Sequence, residues 1–348
     1  IRALCYYDLL QLYARPYYDG NGSQPGVPLR LVGNSVADNY DLARSTVAEV
    51  YAQVIKDLND AETSLPLAYA DAATNTTRVH RNTAIALKTR VYLAMQQYAN
   101  VITEANKIVG TTTFTASAGS APAGGVNNAL QTDVTNVFKA PYTTTESVFS
   151  LPFSTTETPG TQNQLGLYFY NNGAPLNAEY YLNPAGVVAD ANWKSTDKRR
   201  TLIQASTNAA RLGFMFLAKY QQPSPYTDWA PVIRYAEVLL NLAEARARVN
   251  GVDAQAIKLL NAIRGRSDAS TVFTAGSFAS GAALVDAILQ ERNIELLGEG
   301  FRNTDLVRLG LTISAKAGGA PAIPASDPRY IWPIPNNELL YNKLATPN

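Results

Sequence analysis

Hydrophobic positions repeat at helical spacing toward both ends of the chain and lose that rhythm in the middle. Ala3, Tyr6, Tyr7, Leu10 and Ala14 recur three or four residues apart, predicting a helix over residues 1–15 that Pro16 stops. Val47, Val50, Tyr51, Val54, Leu58 and Ala61 make the inward stripe of a second helix over about residues 47–62. Thr46 and Glu49 have capping-box spacing at its start. A helix pair follows. Asn82 is placed to cap a helix through about Gln96, and residues 98–109 repeat Ala99, Ile102, Ala105 and Ile108. The second pair is clearer. Asp228 and Pro231 open it, and Val232, Tyr235, Ala236, Leu239, Leu242, Ala243 and Arg246 form its stripe. Gly251 ends that helix and Asp253 caps the next, which turns Ala256, Ile257, Leu260 and Ile263 inward.

Residues 110–228 differ. Gly, Ala, Thr, Asn and Pro dominate, residues 146–153 are the best strand candidate, and residues 160–193 are loops dense in aromatic side chains. The last segment, 311–348, is rich in Gly and Pro, and residues 330–335 read as extended chain because Pro333 and Pro335 forbid helix. The expected architecture is mainly α. Tetratricopeptide-like helix pairs form a helical scaffold over 1–109 and 229–310. A long irregular, loop-rich lobe with short strands occupies 110–228, an extended tail 311–348, and the whole is read as a single domain, 1–348.

One stretch concentrates charge. Leu284, Ile288, Glu291, Glu295 and Gly298 share a helix face, so two carboxylates sit on a stripe that begins apolar. Arg292, Glu299, Arg302, Asp305 and Arg308 follow, with Gly298 and Gly300 breaking the helix. Paired carboxylates can serve as acid and base. Interleaved with arginines they neutralise one another and are held ionised, which is wrong for a catalytic acid. The stretch therefore reads as an ion-pair network, with Arg302 or Arg308 expected to pair with Glu295, Glu299 or another carboxylate at low exposure. No catalytic residue is assigned. Glu237 and Glu244 read as exposed or ion-paired helix residues.

Composition narrows the chemistry. The chain has 348 residues and a net charge of +1, so nothing calls for nucleic acid or an anionic membrane surface. The one histidine, His80, reads as a loop or capping residue; a His-rich metal site is impossible, and neither a metal nor a cofactor is expected. The one cysteine excludes an internal disulfide, and Cys5 reads as a small buried residue. No run of 18 apolar residues can span a bilayer. The chain opens at Ile1-Arg2-Ala3-Leu4 already in amphipathic helix, so its start is expected to have been removed or to be missing from these residues.

The charged stretch, as Glu291-Arg292, Glu295-Leu296, Glu299-Gly300, Arg302, Asp305-Leu306 and Arg308, resembles the signature of SusD/RagB-type proteins, with Asn293 and Asn303 departing from it. Further elements follow the family's order: Arg2-Ala3-Leu4, Tyr51 through Leu65-Pro66, Asp197 with Arg199 and Arg200, Lys219-Tyr220, residues 233–251 with 256–266, and Trp332-Pro333-Ile334-Pro335. The resemblance implies a lipid-anchored protein on the extracellular face of the outer membrane, its anchor absent from these residues. It would capture an oligosaccharide or other oligomeric nutrient for a SusC-like TonB-dependent transporter. Two other readings are a helical glycoside hydrolase, separable by turnover on polysaccharide, and a tetratricopeptide-type adaptor for a peptide, against which the insertion at 110–228 argues.

The ligand site is expected on the irregular lobe, at Tyr168, Tyr170, Tyr180, Tyr181 and Trp193. These aromatics lack helical periodicity and are interleaved with Asn171, Asn172, Asn177, Asn183 and Asn192. Flat rings offer apolar area to sugar C–H groups while amides supply hydrogen bonds. Trp193 has the widest ring and is the first choice.

Overall fold

A computed structural model describes every residue except 34, 37–38, 112–113, 115–124, 171–177 and 317. Asn171, Asn172 and Asn177 of the expected site fall outside the described residues. The fold is mostly helical. Its helices are α1 (Arg2–Tyr13), α2 (Val47–Ser64), α3 (Ala72–Thr77), α4 (Arg81–Ala94), α5 (Tyr98–Ala105), α6 (Leu165–Phe169), α7 (Tyr235–Asn250), α8 (Ala254–Ser267), α9 (Gly281–Glu295), α10 (Phe301–Arg308) and α11 (Asn336–Tyr341). Its strands are β1 (Pro25–Pro28), β2 (Arg44–Thr46), β3 (Ser147–Leu151), β4 (Ile203–Ala205), β5 (Met215–Leu217) and β6 (Ala230–Arg234), which pair antiparallel as β1–β2, β3–β6 and β4–β5. Packing groups the chain into two compact units, Ile1–Thr63 with Arg90–Gln97 and Arg302–Asn348, and Ser64–Thr89 with Tyr98–Phe301.

In the first unit α1 buries Ala3, Tyr6, Tyr7 and Leu10, the stripe expected. Cys5 is not buried. It lies about 140° round the helix from Leu10 and is exposed. At the start of α2 the backbone N–H of Glu49 donates to Thr46 Oγ1 (3.2 Å), and Glu49 Oε2 accepts from Thr46 N (2.8 Å), closing the capping box. The tail is tied in by Tyr330, whose hydroxyl donates to the carbonyls of Leu306 (3.1 Å) and Leu311 (2.7 Å).

In the second unit α7 is the central helix, packed by α5, α8 and α9. Alanines and leucines at Ala236, Leu239, Leu240, Ala243 and Ala247 let its neighbours approach, and all are buried. Gly251 ends α7 at φ 73°, and Asp253 accepts the N–H of Ala256 (2.8 Å) to start α8. Three expectations are corrected. Residues 230–234 are strand β6 rather than the first turn of α7; Pro231 sits opposite Ser150 of β3, and Glu146 O accepts from Tyr235 N (2.8 Å) where the helix begins. Asn82 is not a cap but lies inside α4, donating to Val126 O (2.8 Å), while Thr83 Oγ1 accepts from His80 N (3.2 Å). The helix of residues 98–109 ends at Ala105 and continues as turns.

Candidate functional site

The second unit holds two features with chemistry: a buried charge network and, on the irregular lobe, an aromatic surface.

α9 delivers the first. Glu291 and Glu295 are one helical turn apart on its buried face. Their partners come from distant elements. Arg199 Nη1 donates to Glu291 Oε1 (2.5 Å) and to Glu295 Oε2 (2.9 Å), and its Nη2 to Asp197 Oδ2 (2.6 Å). Arg264 Nε donates to Glu291 Oε2 (2.6 Å). Arg234, at the end of β6, reaches Glu146 (2.5 Å), Glu295 (3.0 Å) and Glu299 (2.7 Å). Arg266 bridges Glu146 and Glu295, and Lys219 Nζ donates to Glu299 Oε1 (2.6 Å). Five carboxylates thus meet five cations, and every member is buried or nearly so.

Burial by itself pushes the Glu295 carboxyl up. Arg266, Arg234, Arg199 and Lys219 outweigh it and hold it well below the usual carboxylate range. Glu299 is likewise held down against burial by Arg234 and Lys219. A carboxyl kept ionised and saturated with donors cannot lend a proton, so the arrangement fixes packing rather than doing acid–base work. The network is built by long-range partners instead of its helical neighbours. Arg292 donates to Asn241 Oδ1 (2.6 Å). In the first unit Arg308 pairs with Asp305 at 2.8 Å with both side chains buried, which meets the expected pairing, while Arg302 is exposed. Glu237 and Glu244 are buried, not exposed, and Glu244 pairs with Arg248 (2.8 Å).

The aromatic surface rests on a cluster of Val134, Val137, Phe138, Leu202, Leu217 and Tyr220, against which Leu165, Phe169 and Leu297 pack. Phe169, on α6, touches both Tyr220 and Tyr180 at 5.6 Å. Tyr180 is 56% exposed and stacks on Tyr168 (5.4 Å, 24°); its backbone N–H donates to Tyr168 O (2.9 Å). Tyr181, 37% exposed, lies nearly parallel to Phe214 at 4.3 Å and 7°. The isolated bridge between Leu182 and Met215 aligns these two segments. Arg211 Nη1 donates to Ala178 O and its guanidinium lies 5.9 Å over Phe216, fixing the approach to Tyr180. Leu212, Phe214 and Met215 extend the exposed apolar surface next to Tyr181.

The structure therefore joins Tyr168 with Tyr180, and Tyr181 with a residue the sequence did not single out, Phe214. Tyr170 is half-buried and stands apart from both pairs. Trp193 is a correction. It is 2% exposed, and the Arg200 guanidinium lies 4.1 Å over its ring, so no face is open to solvent. The cause is local: the 3₁₀ turn Lys198–Leu202 carries Arg200 back over the indole, where it donates to the carbonyls of Trp193 and Val188. Phe214 gave no periodic signal; only the run Phe214-Met215-Phe216 after Gly213 in a polar segment marks it.

Gly298 ties the two features together. Its φ is 77°, and an added Cβ would lie 2.0 Å from Leu217 Cδ2 and 4.0 Å from Phe169. Gly298→Ala is expected to destabilise the protein by about 2–4 kcal/mol, adding left-handed strain to overpacking. Chemical denaturation would measure it, and an unchanged midpoint would show that Leu217 yields freely.

Among the described residues no cluster of His, Cys, Asp and Glu is arranged to hold a metal ion, and no helix is long and apolar enough to cross a membrane.

Comparison with known proteins agrees with this geometry. The SusD family model matches residues 216–346, and a family model described as starch-binding associating with outer membrane matches residues 1–93. A solved SusD superfamily protein from Bacteroides fragilis is 34% identical with a TM-score of 0.83, covering 99% of this chain and 74% of its own. Surface glycan-binding protein A from Bacteroides uniformis shares the fold at 20% identity and a TM-score of 0.73, over 100% of this chain and 76% of that one. A SusD-like protein of Formosa agariphila is 33% identical over 135 residues; the match spans 36% of this chain and 26% of that relative.

Proposed function

We propose, from the premise that the chain belongs to the SusD family, that it is a cell-surface binding protein which captures a glycan or similar oligomeric nutrient and delivers it to a SusC-like TonB-dependent transporter. It would be held on the extracellular face of the outer membrane by a lipid anchor. The observation that carries the reading is the exposed aromatic surface of Tyr180, Tyr181 and Phe214. Stacked rings are rigid, so they present apolar faces to the C–H groups of a sugar at little entropic cost. Tyr168 supports Tyr180 by stacking on it, and Trp193 is packed inside the lobe rather than on this surface. The family description of the N-terminal match supports both sugar binding and outer-membrane association. The name of the B. uniformis protein, a surface glycan-binding protein, points the same way.

The role is capture without turnover, supported by the pairing of Glu146, Glu291, Glu295 and Glu299 with cations. We place the whole of 1–348 in one functional domain.

Isothermal titration with a panel of soluble neutral oligosaccharides, maltoheptaose among them, tests the reading. Tyr181→Ala or Phe214→Ala is expected to weaken binding by about 1–3 kcal/mol with little change in fold, the scale of a lost aromatic contact. Full affinity in a Tyr180/Tyr181 double alanine would place the site elsewhere. Release of reducing ends at catalytic protein concentrations would replace binding with hydrolysis.

A further inference from the structure

The first unit contains a cleft of about 370 Å³ that the ligand surface does not involve. One wall is the outer stripe of α1: Cys5, Leu9 and Tyr13, spaced four residues apart. Val27 and Ile334 add apolar area from β1 and the tail. Three charged residues line it: Arg30, Arg44 and Glu338. Cations therefore exceed anions by one.

Arg44 is the unusual member. Its five N–H groups all end on neutral oxygens. Nε donates to Gly26 O (2.7 Å) and Nη2 to Pro25 O (3.0 Å) and Asn348 Oδ1 (2.7 Å); Nη1 donates to the carbonyls of Thr346 (3.2 Å) and Pro347 (3.1 Å). Among the described residues it has no carboxylate partner. Burial pushes its guanidinium down, and no nearby anion raises it again. The buried arginines Arg199, Arg234, Arg264, Arg266 and Arg308 each face a carboxylate, whereas Arg200 stacks on an indole, Arg211 meets a carbonyl and a phenyl ring, and Arg292 meets an amide.

We propose that this cleft binds a small amphipathic carboxylate, its apolar body against Leu9, Val27 and Ile334 and its head at Arg44. A charged acceptor makes shorter, stronger bonds to a guanidinium than a carbonyl does. The head therefore displaces the longest bonds, those to Thr346 and Pro347, and residues 346–348 act as the strap that yields to the ligand. The apolar walls alone would accept any greasy molecule of this size, so selection for an anion falls to Arg44.

The chain supplies its own reporter, since Cys5 is the only cysteine, is exposed and lines the cleft. Alkylation of Cys5 by N-ethylmaleimide would be timed in the presence of octanoate, octanol or octylamine. Octanoate is expected to slow the reaction several-fold, and the other two far less. Arg44→Gln should erase the advantage of octanoate, and Arg44→Lys should restore part of it. An unchanged rate with octanoate, or equal protection by octanol, overturns the proposal. If Arg44→Gln fails to fold, the head-group comparison on the unaltered protein still decides it.

Discussion

Arg234→Ala is expected to cost about 3–5 kcal/mol, the scale for removing one partner from a buried ion pair. Arg234 is 1% exposed and reaches three carboxylates, and it also donates from Nη2 to the carbonyl of Glu295 (3.1 Å). Its guanidinium further lies 5.3 Å from the Phe138 ring, with Lys219 at 4.8 Å from the same ring. Truncation would leave Glu146, Glu295 and Glu299 short of charge inside a water-poor interior, where repulsion is poorly screened. Arg302→Ala, at an exposed position of α10, is the control and should stay within about 0.5 kcal/mol. Urea denaturation of both variants checks the pair. A loss below about 1 kcal/mol for Arg234→Ala would mean that the remaining cations or water replace it.

Acid is expected to weaken the fold in two separable steps. The first belongs to His80. Its side chain is completely buried, and its ring nitrogens come near the backbone of Val148 and Asn75 without making well-formed hydrogen bonds. Burial, with Arg81 adding to it, pushes the imidazole down to about 4 from an ordinary 6.5, and the backbone of Val148 and Asn75 relieves this only in part. A base depressed in the folded state stays neutral there while the unfolded chain takes up a proton. Its contribution is therefore complete above about pH 6.5 and is lost as pH falls toward 4. The loss amounts to about 3 kcal/mol, at 1.36 kcal/mol per unit. The second step belongs to Glu295 and Glu299. Their folded values lie below the ordinary carboxylate value, so the stability they add is present above about pH 4.5 and fades at lower pH. His80→Phe should flatten the upper window and leave the lower one. Stability measured by denaturant between pH 7 and pH 3 separates them. A wild-type curve flat between pH 6.5 and 4.5 would show that His80 finds a partner on protonation.

The helices were legible because each has to bury a stripe, and burial leaves a period in the sequence. α1, α2 and α7 to α9 were read from that period, and their caps at Thr46 and Asp253 from local chemistry. Strand β6 was not, because Val232 and Ile233 fit a helical stripe as well as a strand; only pairing with β3 decides between them. The charged stretch on α9 was legible as a network, since alternating signs on a buried face must cancel. Its partners were not. Arg199, Arg234 and Glu146 lie 61 to 149 residues from Glu295 in sequence by number alone, and no local rule spans such distances. The aromatic lobe was legible by composition but not by orientation. Tyr180 and Trp193 look alike in a loop sequence, and an arginine returning through a 3₁₀ turn is what buries one of them. Phe214 gives no signal of its own because its partner Tyr181 is brought to it by the bridge between Leu182 and Met215 rather than by spacing.

The charge network also sets which parts of the lobe are free to change. It takes hold of the lobe at Glu146, Asp197, Arg199 and Lys219, and among the described residues the segments between those points add no further charge to it. Lengthening such a segment costs chain-closure entropy that grows only with the logarithm of its length, about 0.6 kcal/mol per doubling. Changes of length in the exposed loops between the clamps are therefore cheap, whereas moving a clamp strands a buried charge and touching the buried Trp193, Leu202 or Leu217 opens the core. The lobe can be retailored to a new ligand loop by loop while its attachment to the helices stays the same.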